Sequence, residues 1–260
     1  MLYVGQFDQP LSGLRRLRKV AVVAFENARR SPFVCQGAPG GEPLPLLLAL
    51  PNPDLYRRLR ALIAWLCVRL YRVEVEGQTH IPSSGGCLLA ANHESSIDPA
   101  VLALATERPI RFLARAELWR PGLRGLLDDL GAVPIRRGQG DHSAIARAIR
   151  LIEAGELIAI FPQGTSLGFQ HRDYRGGAAL LALTTGAPLV PVRLLGTAAA
   201  FSILPPRLGF PKLHIVVGEP LAVKRQRPAR KPVKQLTADL ERAIAALTPG
   251  RATGGSRSPS

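Results

Sequence analysis

From Val73 onward, short apolar runs alternate with longer segments in which apolar residues recur every three or four positions. The apolar runs predict strands at Val73–Glu76, Cys87–Ala91, Arg111–Ala114, Ala132–Arg136, Leu157–Phe161, Leu189–Leu194 and Leu213–Val217. The periodic segments predict helices at Pro99–Thr106, Ser143–Ala154, Gly177–Thr185 and Thr237–Leu247. Because the strands are continuous Val, Ile and Leu runs, helices are expected to cover both faces of the sheet. The pattern predicts an α/β fold with a single mixed, mostly parallel sheet.

A further amphipathic segment precedes the first strand. Helical spacing across Leu55–Tyr71 predicts a helix whose apolar positions are Leu59, Leu62, Ile63, Leu66 and Leu70. The arginines that flank this face are Arg57, Arg58, Arg60, Arg69 and Arg72. Such a basic amphipathic helix either lies on a membrane surface or packs on its own domain.

The chain divides into four stretches on this pattern. Residues 1–52 are predicted to be a basic N-terminal extension, with an amphipathic helix near Leu14–Arg29 and a Gly/Pro-rich link from Cys35 to Pro53. The membrane-surface helix would occupy residues 53–72 and the α/β domain residues 73–248. Residues 249–260 are expected to be a disordered tail, and Lys224–Lys234 a basic connector interrupted by proline.

The chain offers little to cross a membrane or to direct export. No run of about 18 uncharged apolar residues occurs, so no spanning helix is predicted. Arg15, Arg16, Arg18 and Lys19 precede an apolar stretch at Val20–Phe25 that is too short for a signal peptide and lacks a cleavage site. We therefore expect a protein that lies on the cytoplasmic face of the cell membrane, either peripheral or monotopic.

The charge balance favours anionic partners. The 260 residues contain 34 Lys and Arg against 19 Asp and Glu, a formal net charge of +15. Aromatic residues make up only 5% and no RRM, zinc-finger or helix-turn-helix signature occurs, so nucleic acid is not expected as a partner. The three cysteines are scattered, which argues against a disulfide framework or a zinc ribbon.

The first chemical motif follows the predicted strand Cys87–Ala91. His93 and Asp98 are five residues apart and cannot face each other on a straight helix, but they can meet in a turn that leads into one. An aspartate that accepts from one imidazole nitrogen leaves the other nitrogen as a general base near neutral pH. A structural interpretation stands beside this one, because Asp98 before Pro99 is also a good helix N-cap.

The second motif begins at Phe161, again at the end of a predicted strand, where ligands bind in α/β sheets. Residues 164–168 also match the G-x-S-x-G elbow of serine hydrolases around Ser166, with Asp173 and His214 in the order of a triad. An elbow requires a helix directly after the serine, whereas Phe169–Arg175 is polar and resembles a loop. The serine hydrolase therefore remains a minor alternative.

Together the motifs resemble one family. Asn92-His93 with Asp98 resembles the NHxxxxD signature of the glycerolipid acyltransferases, and Phe161-Pro162-Gln163-Gly164-Thr165 is similar to their FPEGT block. Residues 131–137, which end in Arg136-Arg137, resemble the intervening block, and residues 189–192 the VPV strand. The resemblance covers residues 73–222, with the blocks in family order.

The resemblance implies transfer of a fatty acyl group from acyl-carrier protein or acyl-CoA to the hydroxyl of a lysophospholipid, 1-acyl-sn-glycerol-3-phosphate being the expected acceptor. It implies that His93 is the base and Asp98 its partner, with no metal and no redox cofactor. Anionic membrane lipid and the acyl donor are the expected partners. Residues implied in substrate binding are Arg136, Arg137, Gln163, Gly164, Thr165 and Arg175.

Two positions depart from the family pattern. Gln163 replaces a glutamate that is thought to bind a substrate hydroxyl, and Ser166 replaces an arginine associated with the substrate phosphate. Gln163 keeps an acceptor oxygen but loses the charge and gains two donors. The departures leave open an acceptor without phosphate, such as a lyso-aminolipid.

Overall fold

The computed structural model describes residues 52–136, 142–164, 174–200 and 211–250. The predicted N-terminal extension with its helix near Leu14–Arg29 lies outside the described residues, as does nearly all of the predicted tail. The helices are α1 (Pro53–Leu70), α2 (Asp98–Leu102), α3 (Arg124–Asp129), α4 (His142–Glu153), α5 (Gly177–Thr185), α6 (Thr197–Ala200) and α7 (Arg230–Ala246).

The strands are β1 (Val73–Glu76), β2 (Cys87–Ala91), β3 (Ile110–Arg115), β4 (Val133–Ile135), β5 (Leu157–Ile160), β6 (Leu189–Leu195) and β7 (Leu213–Val217). They form one sheet in the order β1-β7-β6-β2-β5-β3-β4. Neighbouring strands are parallel except for β6 and β7. The predicted single mixed, mostly parallel sheet is confirmed.

The two faces of the sheet bury separate apolar clusters, because successive side chains of a strand point to opposite faces. On one face, Leu89 and Val192 belong to the cluster on which α1 and α2 pack. On the other face, Leu88 and Leu189 pack with residues of α4, α5 and α7. Helices on both faces explain why β2 is buried along its whole length and why its sequence is uniformly apolar.

Five adjacent strands, β6, β2, β5, β3 and β4, run in one direction, so their carboxyl ends meet at one edge of the sheet. The turn after β2 carries His93 and the turn after β5 carries Gln163. Because β2 and β5 are neighbours, the two sequence motifs lie side by side at this edge.

The predicted apolar face of α1 was wrong in part. The residues that face the domain are Tyr56, Ile63, Ala64 and Cys67, whereas the side chains of Leu62, Trp65, Leu66 and Leu70 are 51%, 61%, 39% and 41% exposed. Aromatic Tyr56 and small Ala64 and Cys67 shift the packing stripe by about a quarter turn from the one the leucines suggest. The helix therefore packs on its own domain and also presents a second, outward apolar face.

Polar bonds fix the orientation of α1. The Nε atom of Arg60 donates to the carbonyl oxygens of Ala103 and Thr106 at 3.0 and 2.9 Å. The Tyr56 hydroxyl accepts from the backbone N–H of Ile110, and burial raises the pKa of that hydroxyl. Arg60 is thus a structural ligand of two carbonyls and not part of a solvated basic flank.

The C-terminal helix begins earlier than the sequence suggested. The predicted helix Thr237–Leu247 is the second part of α7, which starts at Arg230 inside the predicted connector Lys224–Lys234. Pro232 stands in the first turn of α7, where a missing N–H costs nothing. The sequence predicts a connector that proline interrupts, whereas in the structure Pro232 belongs to the start of the helix.

Candidate active site

His93 and Asp98 meet in the turn between β2 and α2. The Nδ1 atom of His93 lies 2.9 Å from the Oδ2 atom of Asp98. The aspartate is fully buried, and 14% of the histidine side chain is exposed. Because a carboxylate only accepts, Nδ1 donates the proton and the Nε2 atom is left as the basic nitrogen.

The Asp98 carboxylate also closes this turn. Its Oδ2 atom accepts from the backbone N–H groups of Glu94 and Ser95 at 2.6 and 2.8 Å. The predicted N-cap role was wrong, because the carboxylate binds the N–H groups upstream of α2 and makes no capping bond to the helix. One oxygen thus orients the imidazole and holds the turn that carries it.

Asn92 ties the turn to the neighbouring strand. Its Oδ1 atom accepts from the Leu194 backbone N–H at 2.7 Å, and its Nδ2 atom donates to the Leu194 carbonyl at 2.8 Å. The side-chain amide thereby continues the pairing of β2 with β6 beyond Ala91. Asn92 positions the residue that follows it, a role for which its place directly before His93 is a signal in the sequence.

Gln163 connects the two motifs. Its Oε1 atom accepts from the backbone N–H of His93 at 2.6 Å. This bond fixes the orientation of the amide, so the Nε2 atom is a donor that makes no hydrogen bond within the part of the chain that the structure describes. Sequence reasoning placed Gln163 in substrate binding and missed its bond to His93.

An aromatic floor supports the imidazole. The ring of His93 stacks on Phe161 with 4.3 Å between ring centroids and an interplanar angle of 24°. Phe112 on β3 stacks on Phe161 in turn, at 6.4 Å. The ring of His93 is therefore held by the Asp98 bond at one atom and by apolar contact across its face.

Arg175 lies against the turn after β5. Its backbone N–H donates to the carbonyl of Pro162 at 3.0 Å. A Cβ atom at Gly164, whose φ is +82°, would lie 3.3 Å from the Nε atom of Arg175, so the guanidinium stem covers this glycine. Arg175 is exposed and forms no ion pair with any residue in the described ranges. Among the described arginines, Arg175 is the one that contacts the turn after β5.

The remaining predicted substrate residues are placed as follows. Arg136 is exposed and follows β4, three strand positions from β2, about 14 Å at the usual strand spacing. Arg137 and Thr165 lie outside the described residues. The Gly164 N–H donates to the Phe161 carbonyl at 3.0 Å. This N–H is therefore used within its own turn.

The histidine required by the serine hydrolase alternative lies far from the Phe161 block. His214 lies on β7, which is separated from β5 by β6 and β2, and its Nδ1 atom faces the Glu74 carboxylate at 3.4 Å. Ser166 and Asp173 lie outside the described residues. The histidine of the described chain that stands beside the Phe161 block is His93.

One group of possible metal ligands occurs among the described residues. Glu74, Glu76 and His214 place their ligand atoms within 4.8 Å of one another on β1 and β7, away from His93. Lys212 pairs with Glu74 at 2.7 Å, and Glu76 accepts from the Gly250 N–H. Each of the two carboxylates thus has a partner within the described chain.

Comparison with known proteins agrees with the motifs. Residues 72–195 match the family model described as Acyltransferase, a stretch that runs from just before β1 to the end of β6 and contains both motif turns. The matched stretch, slightly less than half of the chain, is similar to the acyltransferases.

Two curated relatives show how far the sequence similarity extends. The chain is 28% identical over 151 residues to the 1-acyl-sn-glycerol-3-phosphate acyltransferase of Bacillus subtilis, covering 57% of this chain and 73% of that protein. It is 29% identical over 168 residues to a chloroplast 1-acyl-sn-glycerol-3-phosphate acyltransferase of Brassica napus, covering 60% of this chain but only 47% of that protein. The chain thus spans about half the length of the plant relative.

A solved structure shares the fold. The crystal structure of the 1-acyl-sn-glycerophosphate acyltransferase of Thermotoga maritima superposes with a TM-score of 0.56 at 20% identity. The superposition covers 90% of this chain and 94% of that one. The architecture described above is therefore that of a known acyltransferase structure.

Proposed function

We propose that the protein is an O-acyltransferase that moves a fatty acyl group from a thioester, acyl-CoA or acyl-carrier protein, to the hydroxyl of a lysophospholipid. The observation that carries the proposal is the bond from His93 to buried Asp98 at the carboxyl edge of the sheet, within the stretch that is similar to the acyltransferases. The names of the curated relatives support 1-acyl-sn-glycerol-3-phosphate as the acceptor.

In this mechanism the substrate alcohol is the nucleophile. The Nε2 atom of His93 takes the hydroxyl proton while the alcohol oxygen attacks the thioester carbonyl. The tetrahedral intermediate collapses as the C–S bond breaks, and the imidazolium returns the proton to the thiolate. Asp98 keeps Nδ1 protonated and stabilises the imidazolium, as the third member of a catalytic triad does.

We assign the support of the negative charge that develops on the carbonyl oxygen to two described side chains. The Nε2 group of Gln163 is a donor next to His93, and the Arg175 guanidinium covers Gly164. Donors aimed at the developing oxyanion contribute a large part of catalysis in acyl transfer. This assignment replaces the Gly164 N–H, which is used within its own turn.

Arg175 is also the described residue best placed to bind an acceptor phosphate. It contacts the turn after β5, the strand next to β2, whereas Arg136 follows β4 at the edge of the sheet. A planar guanidinium binds phosphate oxygens in pairs. Arg137 and Thr165 stay predicted contacts. An acceptor without phosphate remains the second candidate, because Ser166 removes the arginine of the family block.

We also infer that the protein lies on the cytoplasmic face of the membrane through α1. The outward side chains of Leu62, Trp65, Leu66 and Leu70 form an apolar face next to the exposed cations Arg58 and Arg69. This is the arrangement of a helix that lies in the headgroup region of anionic lipid. None of the described helices is long and apolar enough to cross a membrane.

The test is transfer by the purified full chain. Palmitoyl-CoA and palmitoyl-loaded acyl-carrier protein would be offered with a panel that contains lysophosphatidic acid, glycerol 3-phosphate and a lyso-aminolipid, and products identified by mass spectrometry. We expect diacylated phosphatidic acid from lysophosphatidic acid. Release of free palmitate without an acceptor-dependent product would instead indicate a thioesterase or hydrolase.

A further inference from the structure

A basic strip lies on the surface of the domain beside α5 and the start of α7. It consists of six exposed cations within eleven residues, Lys224, Arg225, Arg227, Arg230, Lys231 and Lys234. No acidic residue occurs between Glu219 and Asp239. Arg225 pairs with Glu153 at 2.9 Å, while the other five form no ion pair with any described residue. The strip is therefore a concentrated and largely uncompensated positive field.

One end of the strip adjoins the active site. A Cβ atom at Gly176 would lie 2.7 Å from the Cγ1 atom of Val233, so the first turn of α7 packs directly on the residue after Arg175. Arg175 in turn covers Gly164, and Gln163 binds His93. The other end lies at Gly186, which contacts Arg225. The strip thus follows α5 for its length, about 13 Å, and one of its ends lies beside Gly176, next to Arg175.

The strip faces away from the outward apolar face of α1. Leu240 and Ile244 anchor α7 in the cluster on one face of the sheet, and Cys67 anchors α1 in the cluster on the other. If α1 lies on lipid, the sheet stands between the bilayer and the strip. The partner of the strip is then a soluble anion and not the membrane surface.

We propose that the basic strip is the docking surface for an acidic carrier protein that brings the acyl thioester. The proposal rests on the proposed function, since it assigns the acyl donor of that reaction. An acidic surface as wide as the strip would place its thioester arm at the end next to Arg175. The acyl group then leaves the carrier sulfur as the C–S bond breaks, and the thiolate takes the proton from His93.

The experiment compares two charge-reversal pairs in the full chain. Lys231→Glu with Lys234→Glu changes two cations three residues apart on α7, and glutamates near a helix N-terminus are favourable for the helix. Arg147→Glu with Arg150→Glu is the matched control, with the same spacing and charge change on α4, a helix on the same face of the sheet. Thermal denaturation would first show that both variants are folded.

The readouts are the KM for palmitoyl-loaded acyl-carrier protein, the KM for palmitoyl-CoA, and the binding of fluorescently labelled acyl-carrier protein by anisotropy. In the Lys231/Lys234 variant we expect the KM for the carrier-bound donor and the Kd for the carrier to rise at least about tenfold, with less effect at high salt. We expect the KM for palmitoyl-CoA to change less than about threefold, and the α4 control to resemble wild type in every assay.

Three outcomes would overturn the docking proposal. Equal losses with both donors would mean that the strip binds phosphates that the two donors share. Unchanged carrier kinetics with weaker flotation on phosphatidylglycerol vesicles would make the strip a membrane patch. Wild-type transfer from palmitoyl-CoA without carrier binding would remove the partner but leave the proposed function. Strip-dependent carrier binding without any transfer would remove the proposed function but leave the docking surface.

Discussion

The turn after β2 buries polar groups, whereas the outward face of α1 exposes apolar ones. In the turn, a buried carboxylate receives a ring N–H and two backbone N–H groups on a single oxygen, and an amide from β5 holds the same turn. On α1, four large apolar side chains remain exposed although the same helix is anchored through Arg60 and Tyr56. The Oδ2 atom of Asp98 is satisfied by the chain itself, whereas no part of the described chain covers the outward side chains of α1.

The difference indicates which parts of the molecule depend on something outside it. Buried polar groups must find partners within the fold, because an unpaired one costs about 1–3 kcal/mol. Exposed apolar groups cost little by themselves, but a contiguous set of them marks a contact surface. Changes in the turn should therefore alter chemistry, and changes on the α1 face should alter location.

The largest expected effect is that of His93→Ala. Removing the base should lower acyl transfer on the order of 10³-fold, the usual range for a general base. The fold should survive because bonds that do not involve the ring, those of Asp98 Oδ2 and of Asn92, hold the turn. Steady-state rates with a thermal denaturation control would measure this. Asp98→Asn should lose both rate and stability, since Oδ2 orients the ring and closes the turn. Unchanged transfer by a folded His93→Ala protein would exclude the mechanism.

Much of the fold was predictable because local pattern and burial agree. Uniform apolar runs such as Cys87–Ala91 exist only where both faces of a strand are covered, and Gly186 with φ +73° ends α5 as a helix-terminating glycine does. The face of α1 was not predictable, because exposed leucines and buried ones look the same in a sequence. The start of α7 was missed because Pro232 signals both an interruption and a first turn.

The site was predictable at the level of residues and not of bonds. His93 and Asp98 were found from their spacing at the end of a strand, and the structure brings them to 2.9 Å. The bonds of Asn92 to β6 and of Gln163 to the His93 backbone join segments 102 and 70 residues apart. No local pattern encodes such pairs, since they depend on which strands become neighbours.

Gln163 offers a sharper test of the cross-linked turn. Gln163→Leu leaves the His93 N–H without its acceptor and should lower kcat about tenfold to a hundredfold with little change in KM. Gln163→Glu keeps the acceptor for the His93 N–H but removes the Nε2 donor, so it should recover only part of the lost kcat. A leucine variant with wild-type kcat would show that this bond does not position the base.

The α1 face is tested by location and not by rate. Trp65→Ala with Leu66→Ala should lower partition onto anionic vesicles about tenfold or more, because these side chains would bury apolar area in the interface. Thermal stability should be unchanged. Ile63→Ala on the inward face is the matched control, with lower stability and normal partition. Equal vesicle binding by all three proteins would assign the outward face to another contact.

Arg175→Ala probes the acceptor side of the site. If the guanidinium binds phosphate, KM for lysophosphatidic acid should rise about tenfold, since a charge-assisted hydrogen bond contributes about 1.5–3 kcal/mol. KM for a lyso-aminolipid should not change. Arg175→Lys should recover only part of the loss, because lysine cannot bind two oxygens in one plane. A rise in KM that is equal for both acceptors would place Arg175 in general support of the turn.

The smallest effect at neutral pH is expected beneath the site, at Cys87 on fully buried β2. Burial raises the pKa of this thiol to about 11, and the nearby Arg108 guanidinium lowers it only in part. The folded state therefore holds the thiol proton more tightly than the unfolded chain, whose pKa is about 8.5–9. This contribution to the free energy of unfolding is therefore complete below pH 8 and is lost as pH rises towards 11, by about 2 kcal/mol. Urea unfolding of wild type and Cys87→Ala from pH 7 to 11 would measure it. The two curves should converge as pH rises, and a constant difference across that range would mean that the thiol does not titrate as its burial requires.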